Sequence, residues 1–211
     1  MNLFHPDNPV MRFLSRIFDL IILNLLFIFS CIPIITIGAA LSAIYQILFK
    51  IIDKKDPYIF KGYVKAFREN FKPATLIWIL TLLAGAGIYL ALFAISTKSG
   101  QNLEFLQIPV WILVFIIASV AAYAFPLLSR YQCSLKQLII NAFVLSIGNI
   151  PATVIIIVFP LGILYLASSA GLNIAVICCL AFTIGCSGIL YLISYVLFQI
   201  FKKHETKQAA K

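Results

Sequence analysis

The sequence predicts an all-α protein, a polytopic transmembrane helical bundle of about six spans with two cytoplasmic interfacial elbow helices. Three observations predict it: the composition, the segregation of charge along the chain, and the sidedness of the basic residues. Of 211 residues, 63% are hydrophobic and 11% charged, whereas a water-soluble domain carries roughly 25% charged residues to cover its surface. No Lys, Arg, Asp or Glu occurs in residues 74–97, 105–129 or 137–201, and uncharged apolar runs of about 18 residues or more read as membrane spans. No Gly/Ser-rich or Pro-rich linker divides the chain. Residues 1–211 therefore read as a single integral membrane domain with no room for a separate soluble catalytic module.

The spans follow in order. Residues 17–49 are almost continuously apolar, broken by Asp19, Asn24 and Gln46 and interrupted by Pro33 and Gly38. As one helix this run would be roughly 50 Å long against a hydrocarbon core of about 30 Å, so it reads as a hairpin. Pro33 removes a backbone donor and Gly38 tolerates turn geometry, which places the tip at residues 33–38. The spans are then expected near 13–32, 36–52, 74–96, 107–129, 151–168 and 172–200.

Charge sidedness tests this arrangement. With the N-terminus inside, fifteen of the sixteen basic residues fall on the cytoplasmic side, seven of them within residues 50–72, and only Lys98 lies outside. That is the Lys/Arg excess that sets orientation, with both termini cytoplasmic. A five-span count puts Arg12 and Arg16 outside and fits less well. A re-entrant loop in place of the hairpin preserves the sidedness, so both remain open. The N-terminal stretch is expected to stay uncleaved, because Phe29 is too large for a cleavage box before Cys31 and the apolar run continues past it.

Two cytoplasmic connections read as elbows. In the first, Asp56 and Pro57 suit a cap and first turn, and Phe60, Tyr63, Val64, Phe67 and Phe71 recur at helical spacing. Lys61, Lys65, Arg68 and Lys72 recur on another face. Rings at the acyl boundary and cations towards anionic head groups describe an interfacial helix; the simpler reading is an amphipathic helix covering the end of the bundle. These four cations are the candidate membrane-surface or partner contact. The second elbow starts at a cap, Ser134, and runs through Leu135, Leu138, Ile139, Ala142 and Phe143. Ala66-Phe67 followed by Pro73-Ala74-Thr75 is echoed by Ala142-Phe143 followed by Pro151-Ala152-Thr153, at a spacing of about 77 residues. This suggests a parallel internal repeat, with chance similarity of two Leu/Ile-rich segments as the alternative.

Intramembrane chemistry is sparse. Asp19 is the one carboxylate in an expected span, and Arg16 lies one helical turn before it, which favours an interfacial ion pair over a functional acid. Asn24 and Gln46, with Asn141 and Asn149, suit hydrogen bonds between helices. No paired carboxylates, His-Glu-x-x-His, glycine-rich phosphate loop or metal-spaced cluster occurs, so no enzyme activity, cofactor or metal is expected. Cys31, Cys178, Cys179 and Cys186 in apolar spans, and Cys133 on the cytoplasmic side, read as packing residues and not as disulfides. Gly38 with Ser42, Ala39 with Ala43, and Ala181 with Gly185 allow close helix approach.

Asn8-Pro9-Val10-Met11-Arg12-Phe13-Leu14, Asp19-Leu20-Ile21-Ile22-Leu23-Asn24-Leu25-Leu26 and Ile32-Pro33-Ile34-Ile35-Thr36-Ile37-Gly38-Ala39 form a pattern that continues through Tyr58-Ile59-Phe60-Lys61, Phe67-Arg68-Glu69-Asn70-Phe71-Lys72 and Ala74-Thr75-Leu76-Ile77-Trp78. It resembles the YesL-type integral membrane proteins of Gram-positive bacteria, most specifically in the first 80 residues. The resemblance fades to Phe125-Pro126-Leu127-Leu128 and Asn149-Ile150-Pro151 in the second half. That family is a domain of unknown function, so the resemblance implies a bacterial plasma-membrane location and an association with sugar uptake but supplies no catalytic residue. The expected partners are the lipid bilayer and a sugar-transporter subunit, with no nucleic acid. The functional expectation is an accessory or regulatory membrane component of carbohydrate uptake. The alternative is a small transporter or channel, to which Pro126 and Pro160 could contribute freed carbonyls.

Overall fold

The computed structural model describes residues 9–55, 58–97, 105, 107–131, 133–169 and 185–209, and every regular element among them is helical. Helix α1 covers Pro9–Cys31, a 3-10 turn Ile34–Thr36, α2 Ile37–Ile52, α3 Ile59–Thr97, α4 Gln107–Arg130, α5 Leu135–Gly148, α6 Ile150–Ser169 and α7 Cys186–Ala209. Four segments are long and apolar enough to cross a membrane: Phe13–Cys31, Ile34–Ile52, Ile59–Thr97 and Gln107–Arg130. Of the sixth expected span, 172–200, residues 172–184 lie outside the described residues, as do Asp56, Pro57, Cys178, Cys179 and Ala181.

The expected hairpin forms, but its tip differs in detail. Gly38 is not a turn residue. It lies within α2, and the chain reverses over Ile32–Thr36, where the Thr36 hydroxyl is 2.6 Å from the Ser30 carbonyl and 2.7 Å from that of Pro33. What requires glycine at position 38 is proximity: a Cβ there would lie 2.6 Å from the Ala74 carbonyl oxygen and 2.7 Å from Cβ of Trp78.

The first elbow and the span expected near 74–96 share one continuous helix. α3 is one helix of 39 residues with Pro73 inside it. An internal proline costs about 3 kcal/mol by removing a hydrogen bond and crowding the preceding turn. Here α2 acts as a splint across it: Gln46 meets Asn70 before the proline, and Gly38 meets Ala74 and Trp78 after it. Helix packing on both sides offsets the local defect. The aromatic face is also divided. Tyr63 is buried with Ile59 and Ala66 against α1 and α2, and Phe67 packs on the same core, leaving Phe60 and Phe71 exposed. The spacing that suggested rings facing lipid is in part the ridge that packs on α2.

The second elbow does break. α5 and α6 meet at 96°, because Asn149 leaves helical geometry at φ −134°, ψ 51° and follows Gly148. Ser134 is the cap expected, its hydroxyl accepting from the Gln137 N–H at 3.4 Å. At the bend Thr153 donates to the Ser146 carbonyl at 2.8 Å, and its hydroxyl lies 3.1 Å from that of Tyr123. The two halves of the suggested repeat thus bury similar ridges, Ile59, Tyr63 and Ala66 in α3 and Leu138, Ala142 and Ser146 in α5, yet continue differently.

α2 is the hub. One core cluster joins it to α1 and α3, the other to α4, α5 and α7, with Tyr45, Phe49, Tyr123, Phe125, Leu197 and Phe201 at its centre. A helix apolar on every side is one sheathed in protein. By contrast, α3 beyond Trp78, the first half of α4 and most of α6 expose Leu83, Leu90, Phe93, Ile112, Ile155 and Leu161. Such bands fit contact with a lipid bilayer.

Candidate functional site

The polar chemistry of the described residues gathers at one end of the bundle, where α2 ends, α3 begins, and α4 and α7 terminate. Lys61, Lys65, Arg68 and Lys72 are all exposed on the face of α3 turned away from α2. Phe60, Lys61, Val64, Lys65, Arg68 and Glu69 line one surface cleft, and a second continues past Phe71 to Lys72 and Pro73. Lys65 and Glu69 approach to 3.9 Å, one helical turn apart and well exposed. A pair of this kind contributes little and is screened by salt. The stripe is therefore available to an anionic ligand or surface.

Beside it lies a network that single residues in sequence do not announce. Arg130, at the end of α4, donates from Nε and Nη2 to the two carboxylate oxygens of Glu205 on α7, at 3.0 and 2.9 Å. The Tyr131 hydroxyl donates to the same carboxylate at 2.5 Å. The guanidinium also lies 5.0 Å from the ring centre of Phe198, a cation–π contact. Burial first, then the hydrogen bond to Glu205, pushes the Tyr131 hydroxyl up to about 12. Asp53, held at 2.7 Å by Lys55, sits below the usual carboxylate range because of that hydrogen bond. The partners in the Arg130 network are 75 residues apart, and Glu205 falls in a polar tail without periodicity. No sequence signal joins them.

The intramembrane candidates are each taken up by partners. Asn24 is fully buried, and its Oδ1 accepts from the Ser187 N–H at 3.0 Å, while the Ser187 hydroxyl donates to the Leu20 carbonyl at 2.9 Å. The Gln46 Oε1 accepts from Asn70 Nδ2 at 3.0 Å. Asp19 and Arg16 are half-buried on α1, and neither is free. Gly38, Ala39, Ser42 and Ala43 are buried on α2, as small residues at a close helix contact should be. Cys31, Cys133 and Cys186 are unbridged thiols. Among the described residues no group of three His, Cys, Asp or Glu could hold a metal ion. A groove between α3 and α4, lined by Ile77, Leu80, Ala84, Ile117, Val120 and others, is almost entirely apolar.

Comparison with known families bears on the first half of the chain. The family described as "Protein of unknown function, DUF624" matches residues 20–92. Over that stretch the chain is similar to it, and the stretch holds most of the hairpin, the four cations and Trp78. No curated protein and no solved structure matches the chain.

Proposed function

We propose that this chain is a multi-pass plasma-membrane protein acting as an accessory or regulatory component, with both termini cytoplasmic and the basic stripe of α3 as its docking surface. The observation that carries this reading is the continuity of α3 through Pro73. A separate elbow lying on the membrane would bring all four cations to the head groups. Running straight through Pro73, a single helix carries them away from the charge-free run that begins at Ala74. At about 1.5 Å per residue, Arg68, Lys65 and Lys61 stand about 6, 10 and 17 Å beyond Lys72. Attraction to anionic lipid fades within a Debye length of about 8 Å. Lys72 and Arg68 fall within that reach, and Lys65 and Lys61 are left to an acidic protein surface.

Sidedness follows from the basic residues, whichever way the hairpin runs. α3 and α4 are each long and apolar enough to cross, and the six-span reading adds α6, the span expected near 172–200 and a hairpin that crosses twice. The partner proposed is a sugar-transporter subunit, on the strength of the resemblance of the first 80 residues to the YesL-type proteins. A carrier acting alone would need polar groups along its path, and the apolar groove between α3 and α4 does not favour it.

The test is a photo-crosslinking side chain placed at Lys61 or Lys65 in cells growing on carbohydrate. It should capture a transporter subunit, and capture should fall when the other three cations are changed to Gln. A chain that never enriches such a subunit after mild solubilisation sinks the reading. Sugar flux into vesicles holding this chain alone would replace it with the transporter reading.

A further inference from the structure

We infer that the α1–α2 hairpin is re-entrant: its apolar tip, Ile32 to Ile35, ends among the acyl chains of the cytoplasmic leaflet and does not emerge on the outer face. This is independent of the docking partner proposed above. Three observations carry it.

The first is depth. The start of α2 is fixed against α3 by the contact of Gly38 with Ala74 and Trp78, and the tip by the Trp78 indole, which donates to the Ile34 carbonyl at 2.8 Å. From Trp78, α3 continues to Thr97, a further rise of about 29 Å. That is about the hydrocarbon thickness of a bilayer. The uncharged run from Ala74 to Thr97 must occupy the hydrocarbon, so the tip lies near the depth where the run enters it. The α5–α6 bend marks the same level, since Thr153 is bonded to Tyr123, two residues from the Phe125 ring that packs 6.4 Å from Trp78.

The second is the character of the tip. Ile32, Ile34 and Ile35 are 71%, 66% and 61% exposed, and no charged or amide side chain lies between Cys31 and Gly38. A tip emerging into water has no use for three bare isoleucines. One that stops in lipid does.

The third is how its backbone is satisfied. Irregular backbone at membrane depth must find partners within the protein. Here the Thr36 hydroxyl serves the Ser30 and Pro33 carbonyls, the Trp78 indole serves Ile34, and the Thr36 N–H donates to the Pro33 carbonyl at 3.0 Å. The Ser30, Pro33 and Ile34 carbonyls of the reversal thus find donors within the protein.

The test uses the full chain in its membrane, as Ile34→Cys and, separately, Ile35→Cys, both exposed positions. Membrane-impermeant maleimide is applied to intact cells and to inverted vesicles, with the wild type giving the background from its five cysteines. Gln101→Cys and Lys54→Cys report the outer and inner faces. The tip variants should stay at background from both sides and rise to the level of the controls only in denaturing detergent. A fluorophore on the same thiols should lose more emission to a nitroxide on the lipid acyl chain than to one on the head group. Labelling from outside would show a crossing hairpin, and labelling from inside a tip in water. Either result overturns the inference, as does stronger quenching from the head group.

Discussion

Gly38 of α2 meets the main chain of α3 so closely that a Cβ at this position would stand 2.6 Å from the carbonyl oxygen of Ala74. A flexible side chain can swing away from such an intrusion, but a helix carbonyl cannot. The contact fixes the depth of the hairpin and helps to carry α3 through Pro73, so one glycine governs two features of the fold.

Gly38→Ala should therefore destabilise the protein, in spite of the higher helix propensity of Ala. Overpacking of this kind costs about 1–3 kcal/mol, and thermal unfolding in mild detergent should show the loss. Gly62→Ala should cost less, because its neighbour at 2.9 Å is the terminal methyl of Ile47. Gly85→Ala and Gly87→Ala, with nothing within 4 Å, should leave the unfolding temperature unchanged or raise it. Equal losses at all four positions would show that proximity to Ala74 is not the cause.

Trp78→Phe keeps the ring that packs on Phe125 and removes the indole N–H from the Ile34 carbonyl. The carbonyl keeps the Ile37 N–H as a donor, so the loss is that of one hydrogen bond, about 0.5–1.5 kcal/mol. The variant should unfold earlier than wild type, and hydrogen exchange should rise at the tip before it rises in α2. An unchanged exchange pattern would place the tip in water.

The Arg130–Tyr131–Glu205 network should respond to alkali. The Tyr131 hydroxyl is raised in the folded protein to about 12, against about 10 for an ordinary tyrosine. Its contribution is therefore fully present below pH of about 10 and is lost as pH rises through the folded value. Tyr131→Phe should remove one late step from the tyrosinate absorbance titration and flatten the fall of stability above pH of about 10. Glu205→Gln should loosen α7 from α4 at neutral pH by about 1 kcal/mol, since the pair is partly exposed.

The helical class, the hairpin and the Ser134 cap were legible in the sequence because each rests on local signals: apolar runs, a Pro-containing reversal, and a hydroxyl ahead of a helix. The fate of the two prolines was not. Pro73 and Pro151 stand in similar sequence, and what separates them is whether a neighbouring helix splints the chain, as α2 does through Gln46 and Gly38, or a residue such as Asn149 leaves helical geometry. The aromatic spacing of α3 was legible as a face but not as to what covers it, because Tyr63 finds α2 only once the hairpin has folded. The four cations could be read as one stripe, whereas their distances from the membrane depend on that same splint.

The last prediction divides that stripe. If α3 leaves the membrane as one helix, Lys72 and Arg68 lie within reach of the head groups, and Lys65 and Lys61 do not. Each cation near an anionic surface contributes on the order of 1 kcal/mol, a term that added salt screens. In nanodiscs of mixed lipid, wild-type protein should enrich fluorescent anionic lipid around itself, and the enrichment should fall as salt rises. Arg68→Gln with Lys72→Gln should abolish most of it while leaving cross-linking at Lys65 in place. Lys61→Gln with Lys65→Gln should do the reverse, sparing the lipid preference and removing the docking contact. If all four cations contribute equally to lipid enrichment, the first half of α3 lies along the membrane after all. The docking surface would then have to be sought at the Arg130 end of α4 and α7, which carries Arg130, Lys202, Lys203 and Glu205.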